Sequence, residues 1–535
     1  MTDTIHDSLI LGAGPAGLQL AYFLAKGGRD YLVLEATDRA GAFFQHYPRH
    51  GKLISINKVH TGSDDPNVNL RFDWNSLLCD DPDLRFSRYS QDYFPEAARM
   101  QEYLADFAAR YRLNIRYDAR AAHVTRERDA FVVRDVHGRR FSGRRLIVAT
   151  GLWTPNVPAI PGAERCETYA TCSVDPADFV NQRVLIVGKG NSAFETADRL
   201  TGAAATIHVC SPNPVRLAWE SHFVGNLRAV NAGFIDTYQL KAQNALIDAT
   251  VDAIEHDGRR YRAHLTYAHA RGQRTIIPYD RVILCTGFRF DDRIFGEGCR
   301  PTLTINDRFP AQTSAWESTN VRDLYFAGTL MQACDYRRTM SGFIHGFRHN
   351  VAALARVLEE RYEQRPWPHI AIEPTARAVM RHVMDRMNRA PSLFLQPGFL
   401  ADVLVMPTSG GPARYYEDVR RDYVRDGALG WHEHYYLITL EYGHFHGNSL
   451  AMERDPDPAK GHEAPYLHPV IRRYRGETLV AEHHVQDDLE SRWYLDVYVE
   501  PAVAFMERQL AGATPSHSDT FPHRERGRVP LLAYA

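Results

Sequence analysis

The chain has 535 residues, of which 44% are hydrophobic and 24% are charged. A chain of this length exceeds what one compact core usually organises, so we predict two or three domains. The 63 basic and 65 acidic residues nearly balance, which argues against nucleic acid or an anionic membrane as the main partner. No apolar run approaches membrane-spanning length. We therefore expect a small-molecule substrate, and the sequence leaves a homodimer open.

The N-terminus and the cysteines indicate the compartment. "MTDTIHD" leads directly into an apolar strand, without a basic region or a signal-type apolar core, and this predicts a cytoplasmic protein. Seven cysteines are scattered without C-x-x-C spacing. They predict reduced, mostly buried thiols instead of a zinc knuckle or a disulfide framework.

The first glycine-rich turn follows a short apolar strand at residues 8–11, within "LILGAGPAGLQLA". Its glycines have G-x-G-x-x-G spacing, and the residues after them have helical periodicity. The first glycine permits a tight turn, the second lets the backbone approach a pyrophosphate, and the third lets helix and strand pack closely. The predicted dinucleotide contacts are Gly12, Gly14, Pro15, Ala16 and Gly17.

The segments after the first helix extend this dinucleotide site. The next strand ends at Glu35, about 20 residues after the glycines, where an acid would accept hydrogen bonds from ribose hydroxyls. Residues 113–148 alternate in polarity and break at "RERD" and "VHGR", which predicts a small antiparallel meander inserted in the first domain. "RRLIVATG" then ends at Thr150 and Gly151, a turn that we expect to close the first nucleotide domain.

A second glycine-rich turn lies within "VLIVGKGNSAFETA", after the proline-stiffened crossover "TPNVPAIPG". Ala193 holds the third glycine position, where alanine is tolerated. Two dinucleotides imply a tightly held flavin, FAD, and a nicotinamide that reduces it. The alternative is one cofactor site plus a degenerate duplicate, but the retained glycines favour two sites. The predicted contacts here are Gly188, Gly190, Asn191 and Ser192.

The next strand, "TIHVC", ends at Ser211 instead of at an acid. The Ser211 hydroxyl and the nearby Arg216 could bind a ribose 2′-phosphate, which favours NADPH. The alternative is that Arg216 is an ordinary surface cation. The strand "YDRVILCTG" ends at a second Thr-Gly turn, Thr286 and Gly287, which we expect to close the second nucleotide domain.

"NVRDLYFAGTL" predicts a final strand that returns to the first domain and ends near Gly328. The helical segment "SGFIHGFRHNVAALARVLEE" follows it. Ser341 and Gly342 are therefore expected to place a helix start under a flavin ring. An ordinary N-cap is an equal alternative for Ser341.

These patterns predict an α/β fold with two Rossmann-like dinucleotide-binding domains, an inserted β-meander and an additional C-terminal α+β region. The expected boundaries are 1–160 with 281–360 for FAD, 161–280 for NADPH, and 361–535 for the C-terminal region, which we expect to cap the active-site cleft and help select the substrate. Two H-x-H pairs in that region could bind metal. Alternating aromatic and histidine residues on strands explain them better, so no metal is predicted. These histidines are His432, His434, His444 and His446.

Several of these motifs together resemble a known group of proteins. "GAGPAG" with Glu35, both Thr-Gly turns, "GKGNSAFETA" and the crossover resemble flavin-containing monooxygenases and their two-dinucleotide relatives. "YPRHGKLISINKVHTG", "LRFDWNSLL" and "VRLAWESHFVGNLRAVN" resemble, more particularly, the FAD-dependent oxidoreductase domain-containing proteins. Animal members carry a secretion signal and a retention tail, whereas this sequence begins "MTDTIHD" and ends "PLLAYA".

The resemblance implies catalytic residues and a reaction. It places Asn57 beside the flavin, with Lys58 and Asp73 as weaker candidates; a turn asparagine and solvated loop charges are the alternatives. The implied activity is an FAD- and NADPH-dependent monooxygenase that inserts one oxygen atom from O₂ into a nitrogen or sulfur through a flavin C4a-hydroperoxide. The crossover lacks the histidine of the monooxygenase fingerprint, and no redox cysteine pair follows Glu35. A flavin oxidase or reductase without oxygen insertion and a flavin-bearing interaction protein stay open.

Overall fold

The computed structural model describes residues 4–237, 243–407, 410–427, 429, 434–443 and 452–512. His432, His444 and His446 of the H-x-H pairs lie outside these residues. The chain divides into two compact units, Met1–Val59 with Cys79–Ala311 and His60–Leu78 with Gln312–Ala535. In the described part of the chain, no helix has both the length and the apolar character needed to cross a membrane.

The α-helices of the described residues are numbered in chain order. They are α1 (Pro15–Lys26), α2 (Phe43–His46), α3 (Pro66–Phe72), α4 (Ala97–Arg110), α5 (Asn191–Leu200), α6 (Ala218–Ser221), α7 (Gly233–Thr237), α8 (Ile344–Glu363), α9 (Ala376–Arg389), α10 (Pro391–Leu395), α11 (Arg421–Arg425) and α12 (Asp496–Leu510).

The strands are numbered in the same way. They are β1 (Ile5–Leu11), β2 (Tyr31–Leu34), β3 (Ile115–Arg116), β4 (Ala121–Glu127), β5 (Ala130–Asp135), β6 (Arg140–Val148), β7 (Thr154–Pro155), β8 (Glu167–Thr168), β9 (Arg183–Val187), β10 (Thr206–Ser211), β11 (Asn244–His256), β12 (Tyr261–Tyr267), β13 (Arg274–Tyr279), β14 (Arg281–Leu284), β15 (Phe288–Arg289), β16 (Leu303–Thr304), β17 (Phe309–Pro310), β18 (Leu324–Phe326), β19 (Ile370–Ile372), β20 (Leu400–Val405), β21 (Ala413–Arg420), β22 (Tyr435–Tyr442), β23 (Leu467–Arg475) and β24 (Thr478–His484).

The first sheet of the first unit has the strand order β3-β2-β1-β6-β5-β4. Strand β1 lies parallel to both β2 and β6, whereas β6 with β5, and β5 with β4, are antiparallel pairs. The meander predicted within residues 113–148 is therefore confirmed. Because β6 is long, one strand belongs to both the parallel half of the sheet and the meander.

The second sheet has the order β13-β12-β11-β10-β9-β14-β8. Alternate residues of its central strand β9 enter two different cores. Val184 and Ile186 pack with Phe194 of α5, and Leu185 and Val187 pack on the opposite face. A strand that is covered on both faces needs an uninterrupted apolar sequence. The run "RVLIV" is the local pattern that places this strand in the centre of the sheet.

The end of the second nucleotide fold differs from the predicted boundary between residues 280 and 281. Strand β14 lies parallel to β9, so "RVIL" completes the second sheet. A short antiparallel pair, β7 with β15, follows. Strand β14 lies beside β9 because its apolar residues are buried in the same two cores as those of β9.

The second unit contains a six-stranded sheet with the order β19-β21-β20-β22-β23-β24, and its neighbouring strands are antiparallel. Helix α9 begins after Thr375, whose side chain accepts a hydrogen bond from the Ala378 backbone N–H at 3.3 Å. Such a cap satisfies one of the free donors at a helix start. The predicted C-terminal α+β region is therefore confirmed.

The second unit also includes residues 60–78 and 312–360, which we had predicted to lie outside the C-terminal region. Two buried guanidinium groups explain this difference. Arg71 of α3 donates to the Met387 carbonyl at 2.9 Å, and Arg348 of α8 donates to the Ser76 and Leu70 carbonyls at 2.7 and 2.6 Å. These partners are far apart in sequence, so no local pattern indicates them.

Candidate functional site

The first glycine-rich turn has the backbone geometry that its spacing predicts. Gly12 has a φ of +100°, and its N–H donates to the Leu34 carbonyl at 2.8 Å. A Cβ on Gly12 would lie 2.9 Å from the Ala149 oxygen, and a Cβ on Gly17 would lie 1.9 Å from the Gly12 oxygen. Both positions therefore need glycine, the first for the turn and the second for the close approach of helix and strand.

The middle glycine leaves open space above the start of α1. Gly14 is the N-cap, Pro15 follows at the first helical position, and the helix start has no side-chain cap among the described residues. A Cβ on Gly14 would meet no described atom within 4 Å. Ala16 is buried. Free N–H groups at a helix N-terminus with room above them fit a pyrophosphate, and a larger side chain at Gly14 would fill that room.

Glu35 lies at the end of the strand beside this turn and is 7% exposed. Its carboxylate accepts hydrogen bonds from the Ala13 N–H at 2.7 Å and from the Thr37 N–H and hydroxyl, each at 3.0 Å. A carboxylate has about four acceptor positions, so one position is left for a ribose hydroxyl. Thr150 and Gly151 follow β6 at the same edge of the sheet, and Gly151 has a φ of +70°.

Asn57 is 3% exposed, and its amide holds a loop. The amide nitrogen donates to the Ser90 carbonyl at 2.7 Å and to the Asp92 carbonyl at 3.2 Å. Both amide hydrogens are thus used within the loop, as the turn alternative implies, and the predicted role of Asn57 beside the flavin stays a prediction. Lys58 is exposed, as the alternative of a solvated charge implied.

Asp73 lies in the second unit at the C-terminal end of α3. Its carboxylate accepts hydrogen bonds from the Asn75 N–H at 3.0 Å, from the Ser76 N–H at 2.8 Å and from the Ser76 hydroxyl. An aspartate that binds backbone N–H groups shortly after it stabilises a turn. Asp73 therefore stabilises this turn, and its predicted catalytic role stays a prediction.

The second glycine-rich turn repeats the first closely. Gly188 has a φ of +120°, its N–H donates to the Cys210 carbonyl at 2.8 Å, and a Cβ on it would lie 2.3 Å from the Cys285 oxygen. Gly190 is the N-cap of α5, where a Cβ would meet no atom of the described chain within 4 Å. Ala193 is buried. The second turn therefore also fits a pyrophosphate, against the alternative of a degenerate duplicate.

Asn191, the first residue of α5, anchors a neighbouring loop. Its amide nitrogen donates to the Asn226 carbonyl at 2.8 Å, and its amide oxygen accepts from the Arg228 N–H at 2.9 Å. The carbonyl of Ser192 accepts from the Thr196 hydroxyl at 2.8 Å within the helix. The predicted cofactor contacts of Asn191 and Ser192 stay predictions, and the Asn191 side chain already positions a loop at the start of α5.

A lysine and an aspartate that the sequence reasoning missed lie at the same turn. The Lys189 ammonium binds the Asp248 carboxylate and donates to the Ser211 and Asn213 carbonyls at 3.2 and 3.0 Å. Ser211 ends β10 as predicted, and its hydroxyl donates to the Asn213 carbonyl at 3.0 Å. Arg216 is exposed. Only the lysine between two glycines could have indicated this pair in the sequence.

A buried carboxyl on α5 forms a second group that the sequence reasoning missed. Glu195 is 9% exposed and accepts a hydrogen bond from the Tyr169 hydroxyl, which itself accepts from the Arg49 N–H at 2.8 Å. Burial raises the pKa of Glu195 to about 7. The His50 imidazole lies 3.2 Å from the Thr196 hydroxyl, and burial lowers its pKa to about 4. Near neutral pH, Glu195 can therefore hold or release a proton.

The Thr-Gly turn after β14 holds the crossover. The Thr286 hydroxyl donates to the Asn156 carbonyl at 2.5 Å, and the Asn156 N–H donates to the Gly287 carbonyl at 2.9 Å. Gly287 has a φ of +83°. The predicted turn therefore forms, and its side chain and backbone bind the proline-rich segment.

Ser341, in the second unit, belongs to a buried polar network. Its hydroxyl donates to Asp335 at 2.8 Å and accepts from the Asn350 and Gln396 amides at 2.8 and 2.9 Å. Burial raises the pKa of Asp335 to about 7. Because Ser341 is fully buried and also lies 3.4 Å from the Thr339 hydroxyl, its hydroxyl has four partners and serves this network.

The helix predicted to start at Ser341 starts later. Helix α8 begins at Ile344, and its N-cap is Phe343, so the N-cap alternative for Ser341 is wrong. A Cβ on Gly342 would lie 3.0 Å from the Gln332 side chain. Gly328 has a φ of +76° and begins a 3₁₀ turn. The predicted contacts of these glycines with the cofactor stay predictions.

The described part of the chain contains no disulfide and no cluster of metal-binding side chains. All seven cysteines lie within it and are free. The described residues contain no group of three or more His, Cys, Asp or Glu side chains that could hold a metal ion.

The fold and the two glycine-rich turns define a flavoprotein of the two-dinucleotide-binding class. Residues 9–328 match the pyridine nucleotide-disulphide oxidoreductase family. A flavin-containing monooxygenase from Stenotrophomonas maltophilia has the same fold over 67% of this chain and 98% of its own, with a TM-score of 0.51 and 21% sequence identity.

Two relatives resemble almost the whole chain. FAD-dependent oxidoreductase domain-containing protein 2 of Mus musculus is 37% identical, over 94% of this chain and 84% of its own length. The Danio rerio protein of that name is 34% identical, over 94% and 83%. The chain therefore belongs to the FAD-dependent oxidoreductase domain-containing protein 2 family and is a flavin-dependent oxidoreductase.

Proposed function

We propose that this protein is an FAD- and NADPH-dependent monooxygenase that inserts one oxygen atom from O₂ into a nitrogen or sulfur of a small molecule. The observation that carries the proposal is the pair of intact dinucleotide turns, each with open space at its middle glycine. The sequence contains no C-x-x-C pair, which favours oxygen over a disulfide as the electron acceptor, because exchange with a disulfide usually uses two neighbouring thiols.

In this proposal the first turn binds FAD and the second turn binds the nicotinamide dinucleotide. Gly14 and the start of α1 hold the FAD pyrophosphate, and Glu35 accepts a hydrogen bond from the FAD ribose. Gly190 and the start of α5 hold the nicotinamide dinucleotide, while Ser211 and Arg216 receive its 2′-phosphate. FAD supplies hydride acceptance and the reaction with oxygen. The protein's part is to orient both dinucleotides and to keep water out.

A second candidate function is an NADPH oxidase that releases hydrogen peroxide. The commitment of both Asn57 amide hydrogens to loop carbonyls favours it, because that amide was the predicted donor for the reactive oxygen. The crossover also lacks a histidine, as the sequence shows.

The two functions differ in where the oxygen goes. The FAD-loaded protein is supplied with NADPH, ¹⁸O₂ and a panel of primary amines and thioethers. A monooxygenase consumes NADPH, oxygen and substrate in equal amounts and places ¹⁸O in the product. Peroxide formation equal to NADPH consumption with every compound, and no labelled product, would establish the oxidase instead. The measurements are mass spectrometry of the products and a peroxide assay.

A further inference from the structure

The Lys189 ammonium lies between the two glycines of the second turn and is nearly enclosed. Its side chain is 5% exposed. It binds the Asp248 carboxylate and the backbone carbonyls of Ser211 and Asn213. An ammonium has three donors, so these acceptors use all of them. The lysine is therefore fixed at the end of β10 and cannot reach a ligand without breaking a contact.

Asp248 lies beside the end of β10, on the neighbouring strand β11. It pairs in register with Ser211, the last residue of β10, and its side chain is 35% exposed. In dinucleotide folds, the end of this strand contacts the adenosine ribose. An acid there accepts hydrogen bonds from a free 2′-hydroxyl and repels a 2′-phosphate. Asp248 thus supplies, from the next strand, a carboxylate that "TIHVC" followed by Ser211 does not reveal.

We propose that Lys189 is a specificity-determining residue for the nicotinamide dinucleotide. It neutralises Asp248, so that the carboxylate does not repel a 2′-phosphate near Ser211 and Arg216. This inference rests on the proposed use of NADPH. The net charge beside β10, and not Ser211 and Arg216 alone, then sets the preference between NADPH and NADH.

The test is a double-variant cycle on the FAD-loaded protein, with dissociation constants for NADP⁺ and NAD⁺ measured by calorimetry. Lys189→Met should weaken NADP⁺ binding about 10-fold, which corresponds to about 1.4 kcal/mol, because the unpaired Asp248 carboxylate then repels the 2′-phosphate. NAD⁺ has no 2′-phosphate, so its binding should change less than about twofold. Asp248→Asn should tighten NADP⁺ binding, because Lys189 then adds a positive charge. Lys189→Met with Asp248→Asn should restore the wild-type ratio of the two constants.

The controls separate charge from structure. Lys189→Arg keeps the charge and should keep the wild-type ratio. Asp248→Asn leaves the Lys189 contacts to both backbone carbonyls in place, so it tests the proposal even if Lys189→Met does not fold. Equal weakening of both nucleotides in both single variants would overturn the inference and leave the pair a loop-holding role.

The outcome is independent of the proposed oxygenation. A wild-type protein that binds neither nucleotide would overturn both the inference and the use of NADPH. A shifted ratio in the variants, together with no ¹⁸O in any product, would support the inference and overturn only the oxygen insertion.

Discussion

At the scale of single residues, Glu195 shows how burial changes an ordinary carboxyl. It lies on α5, one turn after the second glycine-rich turn, and is almost enclosed. Burial raises its pKa from 4.5 to about 7, although the hydrogen bond from Tyr169 acts in the opposite direction. The folded protein therefore retains a proton that the unfolded chain releases above about pH 4.5.

This pKa predicts a pH-dependent effect of Glu195→Gln. Between about pH 4.5 and 7 the wild-type free energy of unfolding falls as pH rises, because the folded state binds one proton more than the unfolded state. The variant lacks that proton. We expect it to be no more stable than the wild type near pH 4.5, and to gain up to about 3 kcal/mol relative to it by pH 8.

Urea unfolding of both proteins from pH 4.5 to 8 checks this prediction. Glu500→Gln is the control, since Glu500 forms an exposed ion pair with Arg377 and its pKa is lowered by that arginine. Its difference from the wild type should stay nearly constant above about pH 5.5, where Glu500 is ionised in both the folded and the unfolded chain. A constant difference for Glu195→Gln as well would show that the pKa of Glu195 in the folded protein is the same as in the unfolded chain.

At the scale of elements, each strand-turn-helix unit contains glycines of two kinds: those that the fold requires, and one that leaves open space at the helix start. A Cβ on Gly17 would collide with the Gly12 carbonyl, whereas a Cβ on Gly14 meets no described atom nearby. One glycine is therefore needed for the fold, and the other leaves space for the dinucleotide. The sequence spacing predicted both positions, and the backbone shows that their reasons differ.

Substitutions at these two glycines should therefore have opposite consequences. Gly14→Val should leave the fold intact and abolish most FAD binding, because the side chain enters the pyrophosphate space. Gly17→Ala should lower the free energy of unfolding by about 1–3 kcal/mol through overpacking.

Circular dichroism, and flavin absorbance measured on the same samples, distinguish the two outcomes. A fully yellow Gly14→Val protein would contradict the assignment of FAD to the first turn. A Gly17→Ala protein as stable as the wild type would contradict the packing argument.

At the scale of the whole molecule, the second unit is assembled from distant parts of the sequence. Residues 60–78 join residues 312–535, and Arg71 makes one of the connections. Arg71 is 5% exposed, and burial lowers its pKa to about 10. Its guanidinium satisfies the Met387 and Asn388 carbonyls at the end of α9.

Arg71→Met should loosen this connection, because it leaves buried carbonyls without donors at a cost of about 1–3 kcal/mol. We expect faster proteolysis within residues 60–78, detected by mass spectrometry of the fragments. Arg88→Met is the control, since Arg88 forms an exposed ion pair with Asp83 and its loss should not change the cleavage rate. Equal cleavage in the Arg71 variant and the wild type would show that other contacts hold this segment.

The sequence by itself determined the parts of this protein that depend on local patterns. Glycine spacing, apolar strands and helical periodicity predicted both dinucleotide turns, the meander and the Thr-Gly turns, because neighbouring residues alone set those backbone conformations. Glu35 was predictable for the same reason, at a fixed distance from the glycines.

Only the tertiary structure decided which distant groups meet. In the folded chain, the Asn57 amide donates to loop carbonyls, and Asp248 lies beside Lys189. Arg71 donates to two carbonyls that are 316 and 317 residues further along the chain. A polar side chain has the same composition and spacing whether it contacts a ligand or a backbone carbonyl. Its role is fixed by the segment that packs against it, because a buried polar group takes whichever hydrogen-bond partner the fold brings within reach.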